Sequence, residues 1–503
     1  MGDKSWEDLC QHARETALLE STAGLLEWDE RTKMPHGAGA YRAEQVSYLA
    51  GMIHRRRTDP QVGQWLEELN AEPLEADRHG DMATTVRELH RQYHRHAKLP
   101  NRLVEELARA AVLGQQEWVE ARRNNDFASF RPRLQRLVEL SREKADAIGY
   151  KGARYDALLE EYEPGENSAN LSRLFAGLRA ELVPFVSELA ASTRKVPREI
   201  LNRRYPVALQ ESFGKQIAEA IGFDFQRGRL DVTDHPFCAG AGPSDCRITT
   251  RYNENFFPMA FFGILHEAGH AIYEQGLRTE MYGLPPGAAA SLGIHESQSR
   301  MWENFVGRSR SFWEYTFPLA QAVFAESLRD VALDDFYFAV NDVRPSLIRV
   351  EADEATYNLH IIVRYELEQA LINDEMPVAE LPAAWNAKYR EYLGISPPDD
   401  RSGVLQDVHW SAALFGYFPT YTLGNLYAAR FFECADRDLN GLSGHFKRGD
   451  FAGLRDWLRT KIHTQGQCYS AAELAQTISG RPLDSESLIT HLKAKFRPLY
   501  AVA

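Results

Sequence analysis

Two histidines, His266 and His270, stand four residues apart in the apolar stretch Phe261 to Gly276, and Glu267 directly follows the first of them. In an α-helix, residues four apart point in nearly the same direction and lie about 6 Å apart along the axis. Both imidazoles can therefore bind one metal ion while Glu267 falls beside it. This H-E-x-x-H arrangement is typical of two zinc ligands and a carboxylate that takes a proton from the attacking water.

The competing interpretation of this motif is a pair of core histidines whose hydrogen bonds are satisfied within the protein. A chance match to H-E-x-x-H in a chain of this length is rare, on the order of a few per cent. The small residues Ala268 and Gly269 also leave room above the helix between the histidines. Together these features favour the zinc interpretation.

A third ligand is expected downstream, because catalytic zinc usually takes three protein ligands and leaves one position open. His295 and Glu296, in the stretch Gly293 to Phe305, are the candidates. A carboxylate at the start of a new helix could reach back to the same ion, which favours Glu296. The alternative for Glu296 is an acid in a helix first turn, where it stabilises the positive end of the helix dipole.

The elements that must position these residues are mainly helices. The histidine stretch has a possible cap at Asn255, a proline suited to the first helical position at Pro258 and a stop at Gly276. Apolar residues at three-and-four spacing predict further helices. These segments are Trp6 to Leu26, Ala40 to Arg57, Arg102 to Ile148, Ser168 to Leu189, Glu296 to Leu328 and Ala355 to Ile372.

One region just upstream of the histidine stretch is predicted to be extended. Arg229 to Phe237 and Cys246 to Tyr252 are rich in β-branched residues and are separated by a glycine-rich connection. This pattern predicts a short β-hairpin beside the metal site. No repeat or linker composition divides the chain, so we expect a single catalytic domain over residues 1–503.

The composition excludes several classes of function. The chain of 503 residues is 44% hydrophobic and 26% charged, with a net charge of -13. Nucleic acid or an anionic membrane would require a basic patch, so neither is an expected partner. No secretory signal or membrane span is apparent. The five cysteines form no C-x-x-C motif and predict reduced thiols and a cytoplasmic location, although Cys238 and Cys246 are close enough in sequence to pair.

Several motifs in order resemble those of the carboxypeptidase Taq family of zinc metallocarboxypeptidases. HEAGH is followed by HESQS at the family's separation. The other matching motifs are LLEWDERTKMPHGAGAYRAEQ (Leu25 to Gln45), HPF (His235 to Phe237), DCRIT (Asp245 to Thr249), IRVEAD (Ile348 to Asp353) and GVLQDVHW (Gly403 to Trp410). The resemblance covers nearly the whole chain.

The resemblance implies a fold and an activity. The fold would be mainly α, a large helical ellipsoid split by a deep active-site groove, similar to neurolysin and angiotensin-converting enzyme. The activity would be zinc-dependent release of C-terminal amino acids from peptides, with broad specificity and poor cleavage before proline. The family is usually homodimeric, and the resemblance also implies that Glu296 is the third metal ligand. Cobalt accepts the same ligands and is a possible substitute for zinc.

Candidate substrate-binding residues lie in the matching motifs. His409 and Tyr421 are the candidate donors to the tetrahedral oxyanion, because a His and a Tyr downstream of the metal motif do this work in similar peptidases. Arg247 and Arg349 are candidates to bind the free carboxylate of a peptide, since a guanidinium matches it with two parallel hydrogen bonds. His235 is expected to line the same groove.

Each of these assignments has a structural alternative. Tyr421 could be a core aromatic residue, with Tyr417 as the nearby competitor. Arg349 could form a salt bridge with Asp353, and His235 could serve only the turn at HPF.

Two other functions are compatible with parts of the pattern. A zinc oligopeptidase or endopeptidase on the same scaffold would share the metal chemistry and would not need a free C-terminal carboxylate. A non-catalytic helical binding protein with a structural metal would normally have four protein ligands. The presence of Glu267 argues against this last interpretation.

Overall fold

The computed structural model describes residues 2–70 and 77–502. These residues are mainly α-helical, with one three-stranded sheet. The helices are α1 Gly2–Thr32, α2 Gly39–Arg57, α3 Pro60–Asn70, α4 Asp81–Ala97, α5 Asn101–Asn124, α6 Phe127–Ile148, α7 Arg154–Leu159, α8 Ser168–Ala190, α9 Val207–Ile221, α10 Phe257–Gly276, α11 Leu292–Arg300, α12 Arg310–Val323, α13 Ala325–Leu328, α14 Leu333–Val340, α15 Tyr357–Ile372, α16 Leu381–Leu393, α17 Pro419–Asp438, α18 Leu442–Phe446, α19 Ala452–Lys461, α20 Ala471–Ser479 and α21 Glu486–Tyr500. None of these described helices is both long enough and apolar enough to cross a membrane.

The chain divides into two compact units, each made of three segments. The first unit comprises Met1–Ala97, Val196–Val340 and Tyr427–Pro482. The second comprises Lys98–Lys195, Asn341–Leu426 and Leu483–Ala503. The histidine helix α10 and the sheet belong to the first unit.

Helix α10 lies at the centre of the first unit. Its first half is held in an aromatic cluster, in which the Phe257 and Phe261 rings lie 4.9 Å apart and Phe261 lies 5.3 Å from Trp313. Most of its residues are buried on every face, as expected for a helix surrounded by protein. The aromatic residues therefore anchor the first two turns, and the third and fourth turns carry the two histidines.

A close approach between α10 and α11 occurs at Gly269. A Cβ atom added there would lie 2.6 Å from the carbonyl oxygen of Gln298 and 2.7 Å from the Cα of Ser299. Only glycine leaves room for this contact. The glycine between the two histidines thus allows the helix that carries Glu296 to pack directly against them.

The sheet packs against α10 and differs from the predicted hairpin. Strand β1 (Gly228–Val232) pairs in parallel with β3 (Cys246–Thr250), and β2 (Cys238–Gly240) pairs antiparallel with the other edge of β3. The predicted direct hairpin between the first and last strands is therefore wrong. Strand β1 already ends at Val232, and the connection from β1 to β3 is long enough for a parallel pair.

The sheet also brings two cysteines together. The sulfur atoms of Cys238 and Cys246 lie 3.7 Å apart, and both cysteines are free thiols. Cys246 is buried against α10, with its sulfur 4.0 Å from the carbonyl oxygen of Ala271. The prediction of reduced thiols is consistent with this arrangement.

Most predicted helices are present, and two predicted segments are interrupted. The segment Arg102 to Ile148 forms α5 and α6, because Asn125 adopts a positive φ of 57° and the Asp126 side chain caps α6 by accepting from the Ser129 N–H. The segment Glu296 to Leu328 forms α11, a π-helical stretch at Met301–Val306, α12 and α13. The π-helical stretch follows the candidate third ligand, which is a common place for such an irregularity.

In the second unit, the loop that contains the GVLQDVHW motif is fixed to α15. The Glu368 carboxylate accepts hydrogen bonds from the Trp410 Nε1–H at 2.7 Å, the Gly416 N–H at 2.6 Å and the Tyr155 hydroxyl at 2.7 Å. Asp407 accepts from Arg349 and from the fully buried Arg364. These contacts determine where the loop presents His409.

Candidate metal centre

Three side chains of the first unit bring ligand atoms together. The ligand atoms of His266, His270 and Glu296 all lie within 4.8 Å of one another. The Oε2 atom of Glu296 is 3.8 Å from Nε2 of His266 and 3.4 Å from Nε2 of His270. The α10 spacing and the N-terminal half of α11 therefore place two imidazole nitrogens and one carboxylate oxygen around a common point.

Glu267 lies on α10 between the two histidines, and only 6% of its surface is exposed. Burial raises the pKa of Glu267 to about 7, and the nearby Glu296 and Glu303 carboxylates add to this rise while His266 opposes it. A carboxyl group with a pKa near neutrality can both accept and return a proton under ordinary conditions. Its burial and its charge interactions with His266 and Glu296 suit a general base.

An arginine and a second glutamate support this group. The Arg300 Nε–H donates to Oε1 of Glu296 at 2.7 Å, and its Nη1–H donates to Oε2 of Glu303 at 3.2 Å. Glu303 also lies 3.0 Å from Nδ1 of His266. Arg308 approaches the other oxygen of Glu303 at 3.5 Å.

These contacts influence the charges of the ligands. Burial opposes ionisation of Glu296, but the Arg300 guanidinium and the two imidazoles outweigh it and hold its pKa well below its usual range. Burial lowers the pKa of His270 to about 3, so this imidazole is neutral and can offer a lone pair. Burial also disfavours a charge on His266, yet Glu296 and Glu303 raise its pKa above the usual value. An ion that binds His266 must therefore compete with a proton.

This donor set fits a catalytic zinc ion. Two imidazole nitrogens and one carboxylate oxygen are a known ligand set of hydrolytic zinc sites, and three protein ligands leave a position for water or substrate. Among the described residues, this is the group of His, Cys, Asp and Glu side chains that could hold a metal ion. The residues predicted from the H-E-x-x-H spacing, together with Glu296, meet in one place.

His409 and Tyr421 meet in the second unit. Nε2 of His409 lies 3.3 Å from the Tyr421 hydroxyl. Burial lowers the pKa of His409 to about 3, and Arg349 contributes to the same shift. Its buried Nδ1 has no hydrogen-bond partner within the described chain. A neutral imidazole with a free ring nitrogen can still donate one hydrogen bond.

Arg349 belongs to the same group of the second unit and is 5% exposed. Its Nε–H and Nη2–H donate to Asp407 at 3.0 and 2.9 Å, and its Nη1–H donates to the Tyr357 hydroxyl at 3.0 Å. The guanidinium carbon lies 5.0 Å from the centre of the Tyr421 ring. The residue that pairs with Arg349 is thus Asp407, whereas the carboxylate of Asp353 accepts from the Arg344 N–H and from Thr356.

Arg247 and His235 lie in or next to the sheet of the first unit. The Arg247 guanidinium binds both oxygens of Asp245 at 2.7 Å and stacks on Trp28, with 4.1 Å from its central carbon to the ring centre. His235 is exposed in the connection between β1 and β2. In the HPF motif, Phe237 forms the firm contact, because its backbone N–H and carbonyl both bond to Thr249.

Several residues of these groups were not predicted from the sequence. Arg300 and Glu303 lie in a segment whose pattern indicates only an amphipathic helix. The spacing of Glu296, Arg300 and Glu303 at four and three residues could have indicated that they share one helix face. Asp407 lies inside a quoted motif, but nothing in its spacing indicates which arginines it binds.

Comparison with known proteins agrees with the interpretation of this group as a metal site. The sequence model of the carboxypeptidase Taq (M32) metallopeptidase family matches residues 8–496. The chain is 47% identical over 507 residues to thermostable carboxypeptidase 1 of Thermus thermophilus, with 99% of each chain covered. It is 38% identical over 476 residues to carboxypeptidase 1 of Bacillus subtilis, with 95% of each chain covered.

The solved structures include similar folds. The crystal structure of the M32 carboxypeptidase from Deinococcus radiodurans R1 matches with a TM-score of 0.95 at 37% identity, covering 99% of this chain and 100% of that chain. Agreement over the full length of both chains shows that the helical architecture is shared, and not only the histidine motif.

Proposed function

This chain belongs to the carboxypeptidase Taq (M32) family and is a metallocarboxypeptidase, and we propose that it uses zinc held by His266, His270 and Glu296 to release C-terminal amino acids from peptides. The observation that carries the proposal is the convergence of these three ligand atoms within 4.8 Å of one another. Glu267, which directly follows His266, is buried, and its charge interacts with those of His266 and Glu296.

The metal ion and Glu267 have different roles in the proposed reaction. Bound zinc would supply a Lewis acid that makes water more acidic and polarises a peptide carbonyl. Glu267 takes the proton of the attacking water and later delivers it to the amine that leaves. Its pKa of about 7 lets it both accept and release a proton near neutral pH.

His409 and Tyr421 are the proposed donors to the oxyanion of the tetrahedral intermediate. The support is their mutual contact at 3.3 Å and the neutral state of His409. The tyrosine hydroxyl and an imidazole N–H are both suitable donors to a developing negative charge.

Arg349 and Arg247 are the proposed anchors for the free carboxylate of the substrate. Each already binds an aspartate through Nε and Nη2. An arginine has five N–H groups, so each keeps donors on its terminal nitrogens and is held rigidly by its partner. His235, exposed beside the sheet, is proposed to line the substrate site.

The remaining features of the proposal are broad specificity, poor cleavage before proline, a homodimer, a single catalytic domain and a cytoplasmic location. Cobalt would substitute for zinc because it accepts the same ligands. The support is the family and, for the compartment, five free thiols.

The test compares one peptide with a free C-terminus and the same peptide with an amidated C-terminus, followed by mass spectrometry over time. The proposal predicts stepwise loss of residues from the C-terminal end of the free peptide and poor cleavage of the amide. Internal cleavage of both peptides at similar rates would instead indicate an oligopeptidase.

A further inference from the structure

In both candidate histidine ligands, the ring nitrogen that faces away from the proposed metal position, Nδ1, is within hydrogen-bonding distance of another side chain. Nδ1 of His266 lies 3.0 Å from Oε2 of Glu303. Nδ1 of His270 lies 2.6 Å from Nδ1 of His295, and Nε2 of His295 lies 2.7 Å from Oε1 of Glu274. One imidazole therefore contacts a carboxylate directly, and the other reaches one through a third imidazole.

Simple chemistry determines which nitrogen donates in each of these hydrogen bonds. Two imidazole nitrogens 2.6 Å apart need one proton between them, with one ring donating and the other accepting. His270 must keep a lone pair on Nε2 to bind an ion, so its proton sits on Nδ1 and is donated to His295. The proton of neutral His295 then sits on Nε2 and is donated to Glu274.

The same reasoning applies to His266. Its Nδ1–H donates to Glu303, which leaves the lone pair of Nε2 directed to the side where Oε2 of Glu296 lies at 3.8 Å. Arg300 donates hydrogen bonds to both Glu296 and Glu303 and so holds each carboxylate in its own place.

The arrangement also connects two helices. Glu274 lies one turn after His270 on α10, and His295 directly precedes Glu296 on α11. The centres of the His270 and His295 rings lie 4.6 Å apart, and the ring planes are inclined at 30°. The hydrogen bonds from His270 through His295 to Glu274 thus connect α10 to the α11 backbone next to Glu296. They fix the position of Glu296 relative to His270.

We propose that Glu303, acting directly, and Glu274, acting through His295, are positioning residues that fix the tautomer and ring orientation of the two histidine ligands. This inference rests on the proposed zinc function. Carboxylates behind ligating imidazoles commonly contribute 10- to 100-fold to metal affinity, which sets an expected loss of about that size.

The two supports make different predictions. Glu274 acts on His270 only through His295. Once His295 has been replaced, the further removal of Glu274 should therefore not weaken zinc binding any more. Glu303 acts on the other ligand, so its loss should weaken zinc binding further when it is combined with either change.

The experiment measures the zinc dissociation constant of the full-length protein by competition with a chromophoric chelator. The variants are Glu303→Gln, Glu274→Gln, His295→Asn and the double variant Glu274→Gln with His295→Asn. His295→Asn can still accept from His270 but no longer reaches Glu274. Glu326→Gln, on the exposed α13 surface, is the matched control, and circular dichroism checks that each variant is folded.

Each single variant is expected to bind zinc about 10- to 100-fold more weakly than the wild type, the double variant no more weakly than His295→Asn, and the control unchanged. Zinc binding as tight as wild type in Glu303→Gln and Glu274→Gln would overturn the inference. Independent, multiplicative losses for Glu274→Gln and His295→Asn would overturn the relay. A wild-type protein that binds no zinc would instead overturn the proposed function.

Discussion

The chemistry proposed for this protein depends on one carboxyl group at the residue scale. Glu267 is buried next to His266 in the chain, and burial raises its pKa to about 7. Because it is adjacent to His266 in the chain but outside the ligand group, replacing it should separate proton transfer from metal binding.

Replacement of Glu267 by Gln keeps the size of the side chain and removes the base. We expect kcat to fall by about 10²- to 10⁴-fold, the usual contribution of general acid–base catalysis, while the zinc content stays at the wild-type level. Steady-state kinetics and metal analysis check both parts, with Glu326→Gln as a control of unchanged activity. Wild-type kcat in Glu267→Gln would refute the assigned role.

A second residue-scale prediction concerns Glu368 in the second unit. Burial raises its pKa to about 7 from an ordinary value of 4.5, against the opposing effect of its three hydrogen bonds. The folded state thus holds this proton more tightly than the unfolded state. The contribution of Glu368 to stability is full below pH 4.5 and is lost as the pH rises through 7, by up to about 3 kcal/mol.

The variant Glu368→Gln cannot titrate at this position and provides the reference. Thermal unfolding of both proteins should show the wild type losing stability relative to Glu368→Gln between pH 5 and pH 8. A difference in unfolding temperature that stays constant over this range would show that Glu368 is ionised in the folded protein.

At the scale of elements, the sequence predicted helices better than strand pairing. The limits of α10 fall within one or two residues of those expected, although Phe256 and not Asn255 occupies the cap position. Helix signals are local, because they depend on spacing and on capping residues within a few positions. Strand direction depends on distant residues, so the pattern of β1 and β3 could not show that they pair in parallel.

In the candidate site, too, local features could be predicted from the sequence and long-range contacts could not. His266, Glu267 and His270 were predictable because they lie on one helix with a fixed spacing. The contacts of Arg349 with Asp407, and of Arg247 with Trp28, join residues far apart in sequence and need the folded chain. The roles of Glu303 and Glu274 likewise depend on the packing of α11 against α10.

The contact between α10 and α11 gives a prediction at this scale. Gly269→Ala should destabilise the protein by about 1–3 kcal/mol through overpacking and weaken zinc binding, because the new Cβ meets the α11 backbone at 2.6 Å. Gly263→Ala in the same helix is the matched control, since its Cβ would meet only Thr250 Oγ1 at 3.5 Å.

Thermal unfolding and the zinc dissociation constant report both effects. Gly263→Ala is expected to be neutral or slightly stabilising, as alanine is the better helix former. If the two variants behave alike, the close approach at Gly269 does not position Glu296.

For the whole molecule, the candidate metal ligands and the His409 group each lie within one compact unit. The proposed metal ligands and their supporting residues belong to the first unit, and the His409 group belongs to the second. Since the ligand group forms only in the folded first unit, zinc should stabilise folding by mass action. At a free zinc concentration 100 times the dissociation constant the gain is about 2.7 kcal/mol.

Calorimetry with and without zinc tests this linkage. The unfolding transition of the first unit should move to higher temperature with zinc, and the shift should disappear in His270→Ala. An unfolding temperature that does not depend on zinc in the wild type would mean that zinc does not bind preferentially to the folded protein. A shift that persists in His270→Ala would mean that the ion binds elsewhere.

The most direct measurement of the central claim is the zinc content of the purified, active protein, together with its activity after chelation and after zinc is restored. We expect about one zinc ion per chain, loss of peptide cleavage when the ion is removed and recovery when it returns. Full carboxypeptidase activity in protein that contains no metal and is indifferent to chelators would contradict this claim.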